Sequence, residues 1–343
     1  MMSEPELTLP LEALDSCPDW VMPNAGGAGY WRFTMPEAQW ALLAVNFASL
    51  EPGEAMVAID SARASFEAGQ LSLPLLMAIT NAGTRHEERQ VIEEAVRTYA
   101  GLYQAVADEE AARAGFESEV SRVFRPRLAA AAGSGRDRDR IITSRLEGFL
   151  ARTGNDQTLR EDFARAANAY VGRPVEGDVR PLTSDDFATA LAIGFQEGGE
   201  PFLNAMLASL SDIDDPTYEQ AVAYAIGQNR DPELLPVIFD LTMSGKLGTR
   251  ETYTIMAGQM RQKPTQAAAW RWLQSNYPEF VTRIPGQRPR STPRLASDLC
   301  SPAAIDELEA LFETHGDLAP GYERALAEAR ESIELCIALE KER

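Results

Sequence analysis

The feature that most constrains the fold is a repeated pattern of helix starts in the second half of the chain. Ser184, Asp215 and Thr249 each precede a helical run, at intervals of 31 and 34 residues. Ser, Asp and Thr are favourable N-caps. Each interval holds two helices, and the predicted pairs are 187–197 with 201–210, 218–229 with 232–243, and 253–262 with 264–276. A period in the thirties with two helices per unit is typical of a solenoid.

Helical spacing of apolar residues also runs through most of the chain between Pro36 and the first of these pairs. No tetratricopeptide or ankyrin consensus is present. We therefore predict a mainly α fold, an irregular HEAT-like or armadillo-like α-superhelix with a concave surface. In this prediction, residues 37–343 form one helical-repeat domain.

The stretch 20–32 predicts a different structure. Its turn residues are Asn24 and three glycines, which tolerate positive φ, and aromatic or β-branched residues flank them on both sides. This pattern predicts a β-hairpin, and alternating leucines at 7, 9 and 11 favour a neighbouring strand. An isolated hairpin is only marginally stable. We expect residues 1–36 to be a short β-hairpin or the remnant of a β-sandwich.

The same stretch resembles a family. The Trp-x-x-x-Asn and Gly-Tyr-Trp-Arg elements resemble the motif that closes the β-sandwich of gluzincin zinc aminopeptidases of the aminopeptidase N, puromycin-sensitive and endoplasmic-reticulum type. The residues that carry this resemblance are Trp20, Asn24, Gly29, Tyr30 and Arg32.

The resemblance extends to the end of the chain. Trp31, Phe33 and Met35 depart from the family pattern, but polarity and spacing are kept. The Leu-Cys-Ser of residues 299–301 and the Arg-rich final helix after Tyr322 are similar to the family's Phe-Cys-Ser and terminal helix. The resemblance implies a non-catalytic C-terminal domain that encloses the substrate cavity and contacts or gates peptides. It implies as partners the β-sandwich domain and the catalytic domain, which would hold the zinc.

Composition excludes several other classes of function. The formal net charge of −20 and a pI near 4.6 argue against a nucleic-acid partner, because phosphate neutralisation needs clustered basic residues. No apolar run is long enough to span a membrane, and the N-terminus lacks the pattern of a secretion signal. We therefore expect a soluble chain, cytoplasmic by default.

The sequence offers no set of residues for catalysis or metal binding. His86 begins a near miss to the zincin His-Glu-x-x-His motif, but Gln90 replaces the second histidine, and His315 lies far along the chain. We predict no metal site and no catalytic residue here, so activity would require the zinc domain. Three cysteines, at 17, 300 and 336, are an odd number without metal-type spacing, so we expect buried or half-buried thiols.

One basic segment stands out in this acidic chain. Four arginines fall within twelve residues and are interleaved with three prolines. Guanidinium groups bind carboxylates in bidentate fashion, so a proline-stiffened loop of this kind is suited to a peptide C-terminus or an acidic side chain. A loop tied down by neighbouring Asp and Glu residues is the competing interpretation. The substrate-binding candidates are Arg283, Arg288, Arg290 and Arg294.

The alternative function is a stand-alone helical scaffold that binds a peptide or protein in its concave face. A finished scaffold should have polar ends. A domain that docks on a neighbour should instead leave aromatic and apolar residues of the 20–32 stretch partly exposed, namely Trp20, Val21, Tyr30 and Trp31.

Overall fold

The computed structural model describes residues 16–106, 110–133, 136–213 and 215–341. Across these residues it contains fourteen α-helices, several short 3-10 turns and no β-strand, which confirms the mainly α prediction. The helices are α1 (Glu37–Asn46), α2 (Pro52–Glu67), α3 (Leu73–Thr84), α4 (Arg89–Val106), α5 (Glu110–Ala132), α6 (Asp137–Arg152), α7 (Gln157–Tyr170), α8 (Phe187–Ala208), α9 (Pro216–Gly227), α10 (Leu235–Met243), α11 (Thr249–Gln259), α12 (Lys263–Arg283), α13 (Pro302–His315) and α14 (Glu323–Lys341).

The chain divides into two compact units, Met1–Thr98 and Tyr99–Arg343. The predicted division into residues 1–36 and 37–343 stays a prediction. In the first unit, α1 and α2 both pack on α3. Its core contains fully buried side chains from each of these helices, among them Trp40, Leu43, Ile59, Leu76 and Ile79.

The predicted hairpin is wrong, because the 20–32 stretch folds as a loop around one buried side chain. Asn24 is only 2% exposed. Its Nδ2 donates to Gly29 O at 2.8 Å and to Trp31 O at 3.3 Å, and its Oδ1 accepts from Gly29 N at 2.9 Å. Backbone groups that a β-ladder would need are thus already bonded to Asn24. The strand predicted at 7, 9 and 11 lies outside the described residues.

The second unit begins within α4, includes α5–α7 and continues through the predicted helix pairs. α8 contains the first pair, because Gly199, with φ 57° and ψ −148°, kinks it just before Pro201. α9 and α10 form the second pair, and α11 and α12 form the third. Asp215 is the N-cap of α9, as predicted, whereas Asp186 and Gly248 replace the predicted caps Ser184 and Thr249.

Contacts between successive pairs give this unit its core. α8 packs on both α7 and α9, and α9 packs on α11. α9 and α11 approach closely, since a Cβ built on Gly258 would lie 2.5 Å from Gly227 Cα. Around them, one hydrophobic cluster runs from Ala151 to Ile255, and a second runs from Leu235 to Ile333.

Polar side chains reinforce the same spacing. Gln196 Nε2 donates to Gln228 O, 32 residues on, and Gln259 Nε2 donates to Ile226 O, 33 residues back. These amides satisfy carbonyl groups at the C-terminal end of α9, which have no partner within the helix. The pairs on either side of α9 therefore both complete its hydrogen bonding, which is compatible with stacked helix pairs.

The cysteine prediction is wrong at all three positions. Cys300 and Cys336 form a disulfide that joins the segment before α13 to α14, and Cys17 is exposed. An odd number of cysteines is compatible with one bridge, and spacing alone does not reveal that the fold places residues 36 apart next to each other.

Candidate functional site

The arginine segment is a buried 3-10 helix with its charged side chains turned outward. After α12 ends, Pro289–Ala296 forms this helix, and the residues that anchor it include Pro293 and Leu295, both buried. Thr292 Oγ1 donates its proton to Pro289 O at 2.7 Å. The Tyr277 hydroxyl lies 2.7 Å from Thr292 Oγ1 and therefore acts as the donor in that second hydrogen bond. Burial raises the pKa of Tyr277 to about 12, so this phenol keeps its proton near neutral pH.

The segment forms one wall of an open cleft of about 650 Å³. The side of the cleft nearest α11 is formed by Tyr253, whose hydroxyl donates to Ser291 O at 3.2 Å. Burial raises the pKa of Tyr253, although nearby arginines oppose the shift. The residues that line the cleft are Tyr253, Pro285, Gln287, Arg288, Arg290, Ser291 and Arg294.

The cleft brings together three of the four predicted arginines, in three different environments. The Arg288 guanidinium lies 5.7 Å from the centre of the Tyr253 ring, which is a cation–π distance. Arg294 donates through Nε and Nη2 to Glu328 Oε2 at 2.8 and 2.6 Å. Arg290 is exposed and has no acidic partner among the described residues. The cleft therefore presents at least one guanidinium free to bind an anion.

The fourth arginine lies elsewhere. Arg283 is in the last turn of α12, and its Nη1 is near Gly245, outside the cleft. Sequence reasoning missed Tyr253 and Glu328, which contact the arginine segment across 38 and 34 residues. The repeat spacing was the signal that would have pointed to them, because each lies about one period from its partner.

The chemistry of the cleft favours binding over catalysis. Its described lining provides guanidinium groups, a phenol, a hydroxyl and an amide, but no carboxylate or imidazole to act as a general base. Guanidinium groups beside an aromatic ring bind carboxylates and phosphates through charge-assisted hydrogen bonds. In a chain with a net charge of −20, this local positive charge is a distinct feature.

The residues that carry the family resemblance hold the first unit's N-terminal loop against α2. Asn24 organises the loop from within, and Gly26 N donates to Glu54 Oε1 at 2.8 Å. Arg32 Nε donates to Asp60 Oδ2 at 2.7 Å. Burial acts to raise the pKa of Asp60, but hydrogen bonds from Arg32 and Arg63 outweigh it and hold that pKa below its usual value. The polar members of the motif thus have a structural role in this loop.

The apolar members of the motif face outward. Tyr30 is fully exposed, Trp31 is 51% exposed and Val21 is 46% exposed, while Trp20 is half-buried. Large apolar side chains grouped on one surface loop commonly mark an interaction site. We call Trp20, Val21, Tyr30 and Trp31 the aromatic surface.

Neither histidine takes part in a metal site. His86 Nδ1 accepts from Glu88 N at 3.0 Å, and His315 lies at the end of α13, with its ring 5.9 Å from that of Tyr277. Over the described ranges, no group of three or more His, Cys, Asp or Glu side chains is arranged to hold a metal ion. Nor does that part of the chain include a helix with the length and apolar character needed to cross a membrane.

Comparison with known proteins identifies the family. The chain is similar to aminopeptidase 2, mitochondrial, of Saccharomyces cerevisiae, with 25% identity over 158 residues. That alignment covers 45% of this chain and 16% of the yeast protein. The family model described as the ERAP1-like C-terminal domain matches residues 20–335, which is nearly the whole chain and includes both the aromatic surface and the arginine cleft. The chain belongs to the family of ERAP1-like C-terminal domains.

Proposed function

We propose that this chain acts as the non-catalytic C-terminal domain of a zinc aminopeptidase, where it encloses the substrate cavity and contacts the peptide. Family membership over residues 20–335 is the observation that carries this proposal. The stacked helix pairs resemble a HEAT-like array, which provides the extended surface that such a role requires. Hydrolysis of N-terminal residues would be the work of the zinc-containing catalytic domain.

The arginine cleft is the proposed site of peptide contact. Arg290 is free of acidic partners in the described structure, and Arg288 is held over the Tyr253 ring. A peptide C-terminal carboxylate matches a guanidinium in both charge and shape. We therefore propose that the cleft binds the distal, carboxylate end of a peptide, and that Arg290 makes the main contact.

The aromatic surface is the proposed contact with the β-sandwich and catalytic domains. Its exposed aromatic rings are the kind of side chain that buries large areas in protein interfaces. The polar motif residues Asn24 and Arg32 fix the loop that carries it. This arrangement supports docking on another domain over the alternative of a self-contained scaffold, because an end that needs no neighbour would be polar.

Binding of a labelled peptide tests the arginine cleft. We expect a fluorescent hexapeptide with a free C-terminal carboxylate to bind the chain more tightly than the same peptide with a C-terminal amide. Arg290→Ala should weaken binding of the acid by about fivefold, since it removes one charge-assisted hydrogen-bonding group from an exposed site. Fluorescence anisotropy titrations of both peptides give these ratios.

Arg283→Ala is the matched control, because it removes the same charge from a nearby arginine outside the cleft. Its affinity for the acid should equal that of the unmodified chain. Equal binding of acid and amide, or an equal loss in both variants, would show that the cleft does not recognise the carboxylate.

A further inference from the structure

The last helix is joined to the arginine segment by a covalent link and an ionic link. Cys300, just beyond the 3-10 helix Pro289–Ala296, is disulfide-bonded to Cys336 of α14. Arg294, which lines the cleft, donates two hydrogen bonds to Glu328 of the same helix. The 3-10 helix is the element with which α14 shares most of its contacts, followed by α13. α14 is therefore the main support of this wall of the cleft.

The two links act on the same face of α14. Residues 328 and 336 are eight positions apart, a little over two helical turns, so their side chains project to one side. Their partners occur in the same order along the chain, because Arg294 pairs with Glu328 and Cys300, six residues later, pairs with Cys336. The disulfide thus fixes the position of α14 along the segment, and with it the point at which Glu328 meets Arg294.

Apolar packing and ion pairing supply the remaining support, and Leu326 and Ile337 of α14 also pack against the second hydrophobic cluster. Ala329 and Ile333 of α14 are buried in the same cluster as Leu295 and Leu299 of the arginine segment and its extension. The Arg294 and Glu328 side chains are about 45% and 39% exposed, and ion pairs this exposed add little stability. The disulfide adds the one covalent link between α14 and the segment that follows the 3-10 helix, among the described residues.

The disulfide is not sealed within the core. Both Cys300 and Cys336 are half-buried, and exchange requires that a thiolate reach one of their two sulfur atoms. We propose that this disulfide is a thiol-sensitive latch on the arginine cleft, and that its reduction by a small thiol such as glutathione releases α14 and loosens the Arg288–Arg294 wall.

The reaction is an ordinary thiol–disulfide exchange. The thiolate of one glutathione attacks a sulfur of the bridge, the Cys300–Cys336 bond breaks, and a mixed disulfide and a cysteine thiolate form. The second glutathione thiolate attacks the mixed disulfide and releases oxidised glutathione. The two cysteines each take up a proton, and the two electrons they gain come from the two glutathione molecules.

Hydrogen–deuterium exchange of the full chain tests the latch directly. We expect glutathione to raise the exchange rates of residues 286–300 and 323–338 by about tenfold or more. After reduction, the cross-link no longer restricts the conformations of the open state, so local opening of α14 becomes more frequent. Residues 216–259 should be unaffected. The double variant Cys300→Ser/Cys336→Ser should exchange rapidly without any thiol, and Cys17→Ser should respond to glutathione as the unmodified chain does.

Two results would overturn the latch. One is unchanged exchange in both segments after mass spectrometry has confirmed two new free thiols. The other is the finding that Cys300 and Cys336 are already alkylated rapidly in the absence of reductant. The latch rests on the proposed function only for the identity of the ligand that the cleft binds. Failure of the peptide to bind in both redox states would contradict the proposed function. The exchange rates would still show whether reduction loosens α14.

Discussion

At the scale of single residues, two buried polar side chains determine the conformation of segments that have little regular structure. Asn24 satisfies three backbone groups of the N-terminal loop, and Tyr277 holds the arginine segment through Thr292. A buried donor or acceptor left without a partner costs about 1–3 kcal/mol. Removal of either side chain should therefore lower the free energy of unfolding of the chain.

The burial of Tyr277 predicts how the free energy of unfolding depends on pH. Its pKa is raised to about 12 by burial, above the ordinary tyrosine value, so the folded state favours the protonated phenol. This contribution is complete below about pH 10 and is lost as the pH rises from about 10 to about 12. Tyr277→Phe should lose about 1 kcal/mol of stability at pH 8, and the deficit should shrink or reverse as the pH rises above 10.

Urea unfolding of the unmodified chain and of Tyr277→Phe at pH 8, 10 and 11 measures this difference. The other tyrosines titrate in both proteins, so their effects cancel in the comparison. A difference in unfolding free energy that stays constant across this pH range would contradict the burial and protonation state assigned to Tyr277.

At the scale of elements, most of the helical structure could be predicted from sequence, and the exceptions have physical causes. Apolar spacing and prolines at helix starts located the helix pairs of the second unit, because these signals are local. The 20–32 stretch was mispredicted because the side chain of Asn24 competes for the backbone groups of a hairpin. The disulfide depends on tertiary placement, which local patterns do not encode.

The candidate site was predicted only in part for the same reason. Arg288, Arg290 and Arg294 all line the cleft. They are close in sequence, so a local concentration of arginine in an acidic chain was enough to indicate them. Arg283 does not line the cleft with them, because it belongs to the last turn of α12. Tyr253 of α11 and Glu328 of α14 lie 38 and 34 residues from their partners in the segment and become their neighbours only in the fold.

The close approach of α9 and α11 predicts that a larger residue between them will lower the free energy of unfolding. A methyl group at Gly258 would lie 2.5 Å from the Gly227 backbone, which is too near for any contact, so the helices would have to separate. Gly258→Ala should lower the free energy of unfolding by about 1–3 kcal/mol. The urea midpoint of the purified variant gives the value.

Gly101→Ala is the control for this prediction. Gly101 lies within α4, and a Cβ there meets nothing within 4 Å. This substitution should be neutral or should stabilise the chain by about 0.5–1 kcal/mol, because alanine favours the helix. If the two variants were equally stable, the close packing of α9 on α11 would be contradicted.

At the scale of the whole molecule, an acidic helical domain carries two surfaces that differ from the rest of it. One is the aromatic surface near its N-terminus, and the other is the arginine cleft supported by α14. The chain belongs to the family of ERAP1-like C-terminal domains, and we have proposed a role for each surface in an aminopeptidase.

We have proposed that this domain works as part of an aminopeptidase, and isolation of the native protein from its source cells with an antibody raised against this chain tests that role. We predict that the isolated species is much heavier than 37.6 kDa, contains zinc and releases N-terminal residues from aminoacyl substrates. A species of 37.6 kDa that brings down neither zinc nor aminopeptidase activity would contradict this role and favour an independent scaffold.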